Sequence, residues 1–202
     1  MSALETLLAR LAPLVAGPER RLAAVAGPPG SGKSTLAEAA VARFAGAALL
    51  PMDGFHYDDA VLQARGRLPR KGAPETFDVG GLAALMARLR ADAEDEVAVP
   101  VFDRALEISR AGARIIPRAA RLVLVEGNWL LLDRPPWTGL RRFFDLTVML
   151  DCPEAALRER LAARWAALPP EQAAAKLEGN DLPNARLALQ ASAPADLTLT
   201  TG

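Results

Sequence analysis

Two hydrophobic rhythms alternate along this chain. Leu4, Leu7, Leu8, Leu11 and Leu14 recur every third or fourth residue, which predicts an amphipathic helix over 3–15. "RLAAVAG" (21–27) is instead an unbroken apolar run closed by glycine, the pattern of a buried strand. A helical stretch, "KSTLAEAAVARFA" (33–45), and a second strand, "AALLPMD" (47–53), follow. "RLVLVEG" (121–127) and "FFDLTVML" (143–150) read as further buried strands, and "DLTLTT" (196–201) alternates as a closing strand. Helical spacing returns over 81–91, over 154–167 with Leu157, Leu161 and Trp165 on one stripe, and over 171–178 and 183–191. Apolar strands interleaved with helices predict a mostly parallel, five-stranded sheet covered on both faces, a three-layer α/β fold.

Two stretches break the rhythm. Residues 54–80 are dominated by arginine, proline and glycine ("ARGRLPRKGAPETFDVGG"), which predicts a long functional surface segment. "EVAVPVFD" (96–103) reads as extended, and Pro100 places it at an edge or strand end. Residues of about 54–117 and 152–182 read as inserts near the carboxyl edge of the sheet, within one domain over 1–202.

Composition narrows the function classes. Lysine plus arginine total 24 and aspartate plus glutamate total 24, which argues against non-specific nucleic-acid binding. The single cysteine, Cys152, excludes an intrachain disulfide framework and fits a reducing cytoplasm. Glu5 and Arg10 interrupt the first apolar run, so it does not read as a signal peptide. With no 18 consecutive apolar residues, no membrane span is expected.

"AGPPGSGKST" (26–35) carries the first specific chemistry. Gly27, Gly32, Lys33 and Ser34 complete G-x-x-x-x-G-K-[ST], between an apolar strand and a helix. Glycines let successive N–H groups curl toward an anion, and the following helix adds its positive end. The nucleotide-binding set is therefore Gly27, Pro28, Pro29, Gly30, Ser31, Gly32, Lys33, Ser34 and Thr35. Lys33 can reach the β- and γ-phosphates of ATP, and Ser34 can ligate Mg²⁺. A dinucleotide fingerprint fails, because G-x-G-x-x-G from Gly30 needs glycine where Thr35 stands.

The rest of the chain chooses among phosphate-loop proteins. It has no N-K-x-D motif for reading guanine, and "DVGG" (78–81) opens a helix after a polar loop. "LVLVEG" ends in Glu126 alone, without the aspartate of motor ATPases, which favours a small-molecule kinase. In "LLPMDGFHYDD" (49–59), Asp53 stands just past a buried strand, where such sheets bind ligands. It can accept or orient the proton of an attacking hydroxyl. The other reading of Asp53 is a turn or cap aspartate before Gly54.

The phosphate loop, "MDGFH", "RKGAPETFD" (70–78), "VPVFDR" (99–104), "VEGNWLL" (126–132) and the arginines after "LDCP" together resemble one family. It is the uridine kinase, pantothenate kinase and phosphoribulokinase group of P-loop kinases, and the likeness runs through most of the chain. Within it the chain comes nearest to uncharacterised bacterial kinases, some labelled fructose-transport-system kinases. The resemblance implies a P-loop NTPase fold with a lid insert, at about 152–182, and ATP and Mg²⁺ as cofactors. It implies Asp53 as catalytic base, Glu126 beside Ser34 at the metal, and Asp78 at substrate hydroxyls. Asp78 can equally cap the helix that follows, and the two roles are compatible. Arg104 stands where pantothenate kinases carry histidine, which argues against pantothenate and suits a carboxylate, a phosphate or a hydroxyl-rich group.

The candidate acceptor set is His56, Tyr57, Arg70, Lys71, Asp78, Asp103 and Arg104. His56, the only histidine, either touches substrate or is an ordinary loop residue. Arg65, Arg67, Arg70 and Lys71 form a basic run that is either solvated or attractive to an anion. Arg160 and Arg164 share a helix face, and the resemblance implies that a mobile lid brings them onto the transferring phosphoryl group. "NDLPNARL" (180–187) matches the same relatives without a derivable role; closing the lid and bordering the adenine site are both left open. The expected partner is a small hydroxylated molecule, with no nucleic acid and no membrane; a homodimer is left open. The rival from another class is a nucleotide-dependent regulatory switch.

Overall fold

A computed structural model describes residues 1–201. In chain order the main elements are α1 (Ala3–Val15), β1 (Arg21–Ala26), α2 (Lys33–Val41), β2 (Ala47–Pro51), α3 (Asp59–Ala64), α4 (Val79–Ala91), β3 (Glu96–Asp103) and β4 (Ile108–Pro117). β5 (Leu122–Gly127), β6 (Leu146–Asp151), α5 (Glu154–Arg164), α6 (Pro170–Lys176), α7 (Leu182–Gln190) and β7 (Leu197–Thr200) complete the set. Five strands form one parallel sheet in the order β2-β5-β1-β6-β7, and β3 and β4 form a separate antiparallel hairpin.

Strand β1 explains why the central runs are apolar without alternation. Leu22, Ala24 and Ala26 enter the apolar cluster on one face, with α4, the hairpin and Trp129. Ala23 and Val25 enter the cluster on the other, with α1, α2 and β7. A strand covered on both faces has no side for a polar residue. At the first helix, the Ser2 side chain accepts from the Glu5 N–H and Glu5 returns the bond to the Ser2 N–H, a reciprocal cap at the start of α1.

Several boundaries differ from the sequence expectation. Helix α2 ends at Val41 rather than 45, because the Arg43 and Phe44 N–H groups tighten onto the Ala40 and Val41 carbonyls. The strand expected from 143 begins at Leu146, since Phe143 closes a 3₁₀ turn that starts at Trp137. Strand β4 was not expected at all: "ISRAGARIIP" is exposed over most of its length, so burial imposes no alternation on it. Pro100 does sit at an irregularity, where the β3–β4 register shifts between Val99 and Val101.

The hairpin leans directly on the segment after β2. A Cβ added to Gly54 would lie 2.4 Å from the Pro100 carbonyl oxygen, a rigid backbone atom. Gly54→Ala is therefore expected to push hairpin and Asp53 apart and to destabilise the fold by about 1–3 kcal/mol. Urea denaturation checks this; an unchanged midpoint would show that the hairpin is free to shift.

Candidate active site

Register brings three chemistry-bearing segments to one level. Val25 pairs with Glu126, and Glu126 pairs in turn with Pro51 on the other side. The phosphate loop that follows β1, the end of β5 and the Asp53 segment that follows β2 thus leave the sheet along the same edge. A cavity of about 410 Å³ lies there. It is lined by Pro29, Gly30, Gly32, Lys33, Ser34 and Thr35, by Asp53 and His56, and by Lys71 and Arg104. Arg160, Arg164 and Trp165 close it from α5 and its end.

The loop has the backbone its sequence requires. Gly30 and Gly32 take φ of +82° and +85°, a region open to glycine and strained for other residues. No side chain caps α2, which starts directly after Gly32, so its first N–H groups are free for an anion. Gly27, Pro28 and Ser31 lie behind the lining. Ser31 is buried and its hydroxyl has no hydrogen-bond partner among the described residues.

Ser34 Oγ donates to Glu126 Oε2 at 3.0 Å. A hydroxyl and a carboxylate are the hard oxygen donors that Mg²⁺ takes. Among the described residues no three His, Cys, Asp or Glu side chains cluster to cage a metal. Mg²⁺ bound through one or two protein oxygens and substrate phosphates needs no such cage, so the donor set fits it. Burial pushes the Glu126 carboxyl above its ordinary value, opposed by the Lys33 cation and the Ser34 hydrogen bond. Lys33 is half-buried as a residue, and the loss of water around its ammonium pushes its pKa down, against the pull of Glu126 and Asp53.

Asp53 opens into this cavity, and its Oδ2 accepts from Arg104 Nη2 at 2.8 Å. The Arg104 side chain is 66% exposed, so little holds it there beyond this pair. His56 packs against Phe77 and Phe102, with ring centroids 4.0 and 4.8 Å away. Its Nδ1 lies 2.8 Å from the Asp53 carbonyl. A carbonyl only accepts, so Nδ1 carries the proton and Nε2 remains an acceptor.

Burial holds the His56 pKa below the ordinary histidine value. The unfolded chain therefore binds a proton that the folded one refuses. The resulting stability is fully present above about pH 6.5 and is lost as pH falls toward the folded pKa. Thermal denaturation across that window should show the loss. In His56→Asn, whose amide can reach the same carbonyl, this part of the pH profile should flatten.

The expected residues divide. Lys71 lines the cavity, with Nζ 2.6 Å from Asp59 Oδ1. Arg160 Nη1 donates to the Gly30 carbonyl at 3.3 Å, joining α5 to the phosphate loop. Four acceptor candidates lie outside the lining. Asp78 Oδ1 accepts the Gly81 N–H at 2.8 Å and caps α4. Asp103 accepts the Ala105 and Leu106 N–H groups and shapes the hairpin turn. Tyr57 lies under the Arg65 guanidinium, 4.3 Å from its ring centroid. Arg70 is spent on Gly179 and Asn184.

Asn128, Trp165, Asn180, Asp181 and Asn184 line the cavity without having been assigned to it from the sequence. Asn128 follows the end of β5 directly, and its buried Oδ1 has no partner among the described residues. Its place after Glu126 in "VEGNW" was the available signal. No helix among the described residues is long and apolar enough to cross a membrane.

Comparison with known proteins gives concordant results. The uncharacterised protein YggC of Escherichia coli is 39% identical over 189 residues, 89% of this chain and 78% of that protein. A Schizosaccharomyces pombe protein with the provisional name of uridine kinase is 33% identical over 175 residues, 81% of this chain and 74% of its own. Pantothenate kinase of Rhodopseudomonas palustris is 33% identical over 156 residues, 71% of this chain and 49% of that enzyme, so the chain spans about half its length. A crystal structure from Silicibacter sp. TM1040, provisionally named a fructose transport system kinase, superposes with a TM-score of 0.90 at 42% identity, covering 98% of this chain and 99% of that one. No family model matches. On these relatives, the parallel sheet and the phosphate loop at its edge, the chain belongs to the uridine kinase, pantothenate kinase and phosphoribulokinase group of P-loop kinases and is a small-molecule kinase.

Proposed function

We propose that this kinase transfers the γ-phosphoryl group of ATP, in line, to a hydroxyl of a small molecule such as a sugar, a nucleoside or a pantothenate-like alcohol. One observation carries the reading: the Asp53 carboxylate shares a cavity with Lys33 and Ser34. The phosphate loop and the free α2 N–H groups bind the triphosphate, and Lys33 holds its outer end. Ser34 and Glu126 hold Mg²⁺, which supplies charge neutralisation at the transferring phosphoryl group. Asp53 accepts the proton of the acceptor hydroxyl once Arg104 yields its place. Arg160 and Arg164 neutralise the equatorial oxygens from the α5 side and, with α6, act as a lid that excludes water. His56 Nε2, Lys71, Arg104 and Asn128 are polar groups of the lining that can select the acceptor. A cytoplasmic location agrees with Cys152 being free and buried.

The test is ATP consumption with and without a pool of sugars, nucleosides and hydroxy acids, followed by mass spectrometry for a phosphate gain. Slow turnover alone and faster turnover with one acceptor supports the reading. ATP turnover indifferent to every pool would instead mark a nucleotide-dependent switch.

A further inference from the structure

A closed ring of hydrogen bonds crosses the cavity rim, and phosphoryl transfer as described makes no use of it. Arg70 Nη2 donates to Asn184 Oδ1 at 3.0 Å, and Asn184 Nδ2 donates to Asn180 Oδ1 at 3.2 Å. Asn180 Nδ2 donates to the Lys71 carbonyl at 2.7 Å. Arg70 and Lys71 are consecutive, so the ring closes through one peptide bond. Arg70 Nη1 adds a bond to the Gly179 carbonyl at 2.6 Å. Each asparagine uses its oxygen as acceptor and its nitrogen as donor, so turning over either amide breaks two bonds.

The ring joins the two functional halves of the site. On one side is the loop carrying Lys71 and Gly72, both in the cavity lining. On the other is a π-turn, Leu177–Asp181, between α6 and α7. Such turns are uncommon and recur at functional sites. The neighbouring Asp181 Oδ2 accepts the Trp165 indole N–H at 2.7 Å. Trp165 directly follows Arg164, and α5 also carries Arg160. A continuous set of contacts thus runs from the two arginines through Trp165, Asp181 and Asn180 to Lys71. Asn184 is only 2% exposed, so losing one bond strands a polar group away from water and the network holds or opens as a unit.

We propose that Arg70, Asn180 and Asn184 are positioning residues that lock the 70–72 loop to the helical arm carrying Arg160 and Arg164, so that nucleotide bound against the arm orders the acceptor side of the cavity. This rests on the kinase reading above, in which those arginines meet the triphosphate. The loop reports its own state, because the Lys71 and Ala73 N–H groups bond to the Leu68 and Arg70 carbonyls and the Gly72 N–H bonds to Thr76 Oγ1.

The test needs no acceptor. Amide hydrogen exchange over residues 68–76 is followed with and without a non-hydrolysable ATP analogue and Mg²⁺, while calorimetry measures analogue affinity. The unsubstituted protein should show exchange in 68–76 slowed by about 5-fold or more on saturation. In Asn184→Leu and Arg70→Met the analogue should still bind, but the slowing should fall below about 2-fold. A ring that only stabilises the fold would raise exchange equally in both states and keep the ratio, and that result overturns the proposal. An unchanged 68–76 segment in the unsubstituted protein overturns it as well. Failure of the analogue to bind at all would sink the kinase reading first, and the coupling with it. If the buried Asn184→Leu change prevents folding, Arg70→Met, at a partly exposed position, decides alone.

Discussion

Asp53→Asn is expected to leave ATP binding nearly unchanged and to lower phosphoryl transfer by about 10²- to 10⁴-fold. The substitution keeps the shape of the side chain and an oxygen able to accept from Arg104, now at 2.8 Å from Oδ2. It removes the group that can take a proton from the acceptor hydroxyl. It also removes a negative charge from the cavity that holds Lys33. For a triphosphate that change is neutral or favourable, so weaker nucleotide binding is not part of the expectation. Calorimetry with an ATP analogue and single-turnover kinetics with the acceptor found by the pool screen separate the two effects. Turnover within a few-fold of the unsubstituted protein would remove Asp53 as the base and leave it a turn residue bonded to Arg104.

Lys33→Ala is expected to act on the earlier step. Truncating one member of a buried, charge-assisted contact costs about 2–5 kcal/mol, or roughly 30-fold and upward in affinity for the triphosphate. Two local consequences add to this. The α2 N–H groups remain, so the phosphate loop keeps its shape while its point charge is gone. Glu126 also loses the cation that chiefly opposes its desolvation, so its carboxyl moves further up and holds a proton more readily. Titration of an ATP analogue with Mg²⁺ into the variant measures the loss. Affinity equal to that of the unsubstituted protein would mean that the loop backbone alone carries the triphosphate.

These two residues were legible in the sequence for different reasons. Lys33 belongs to a local motif, in which spacing along the chain fixes the geometry. Asp53 is not fixed by spacing; it was found because a buried strand ends just before it, and strand ends in parallel sheets converge. Residues whose local pattern fits two roles were less readable. Asp78 and Asp103 sit in stretches that resemble kinase motifs, yet Asp78 caps α4 and Asp103 bonds the hairpin turn. A carboxylate followed by backbone N–H groups three residues on satisfies a cap as readily as it meets a substrate, and the sequence pattern of the two is the same. Asn180 and Asn184 show the reverse. Their partners Arg70 and Lys71 lie 109 or more residues away in the chain, so no local pattern connects them.

By itself, then, the order of residues determined the sheet, the phosphate loop and the ends of the strands that carry Asp53 and Glu126. Burial on two faces demands continuous apolar runs, and a tight anion loop demands glycines, so both leave marks that need no partner to be recognised. Tertiary structure alone decided that Arg104 bonds Asp53, that His56 keeps its proton on Nδ1, and which acidic residues stay out of the cavity. Each of these depends on which side chains meet across the fold, and hydrogen bonds act over distances set in space rather than along the chain.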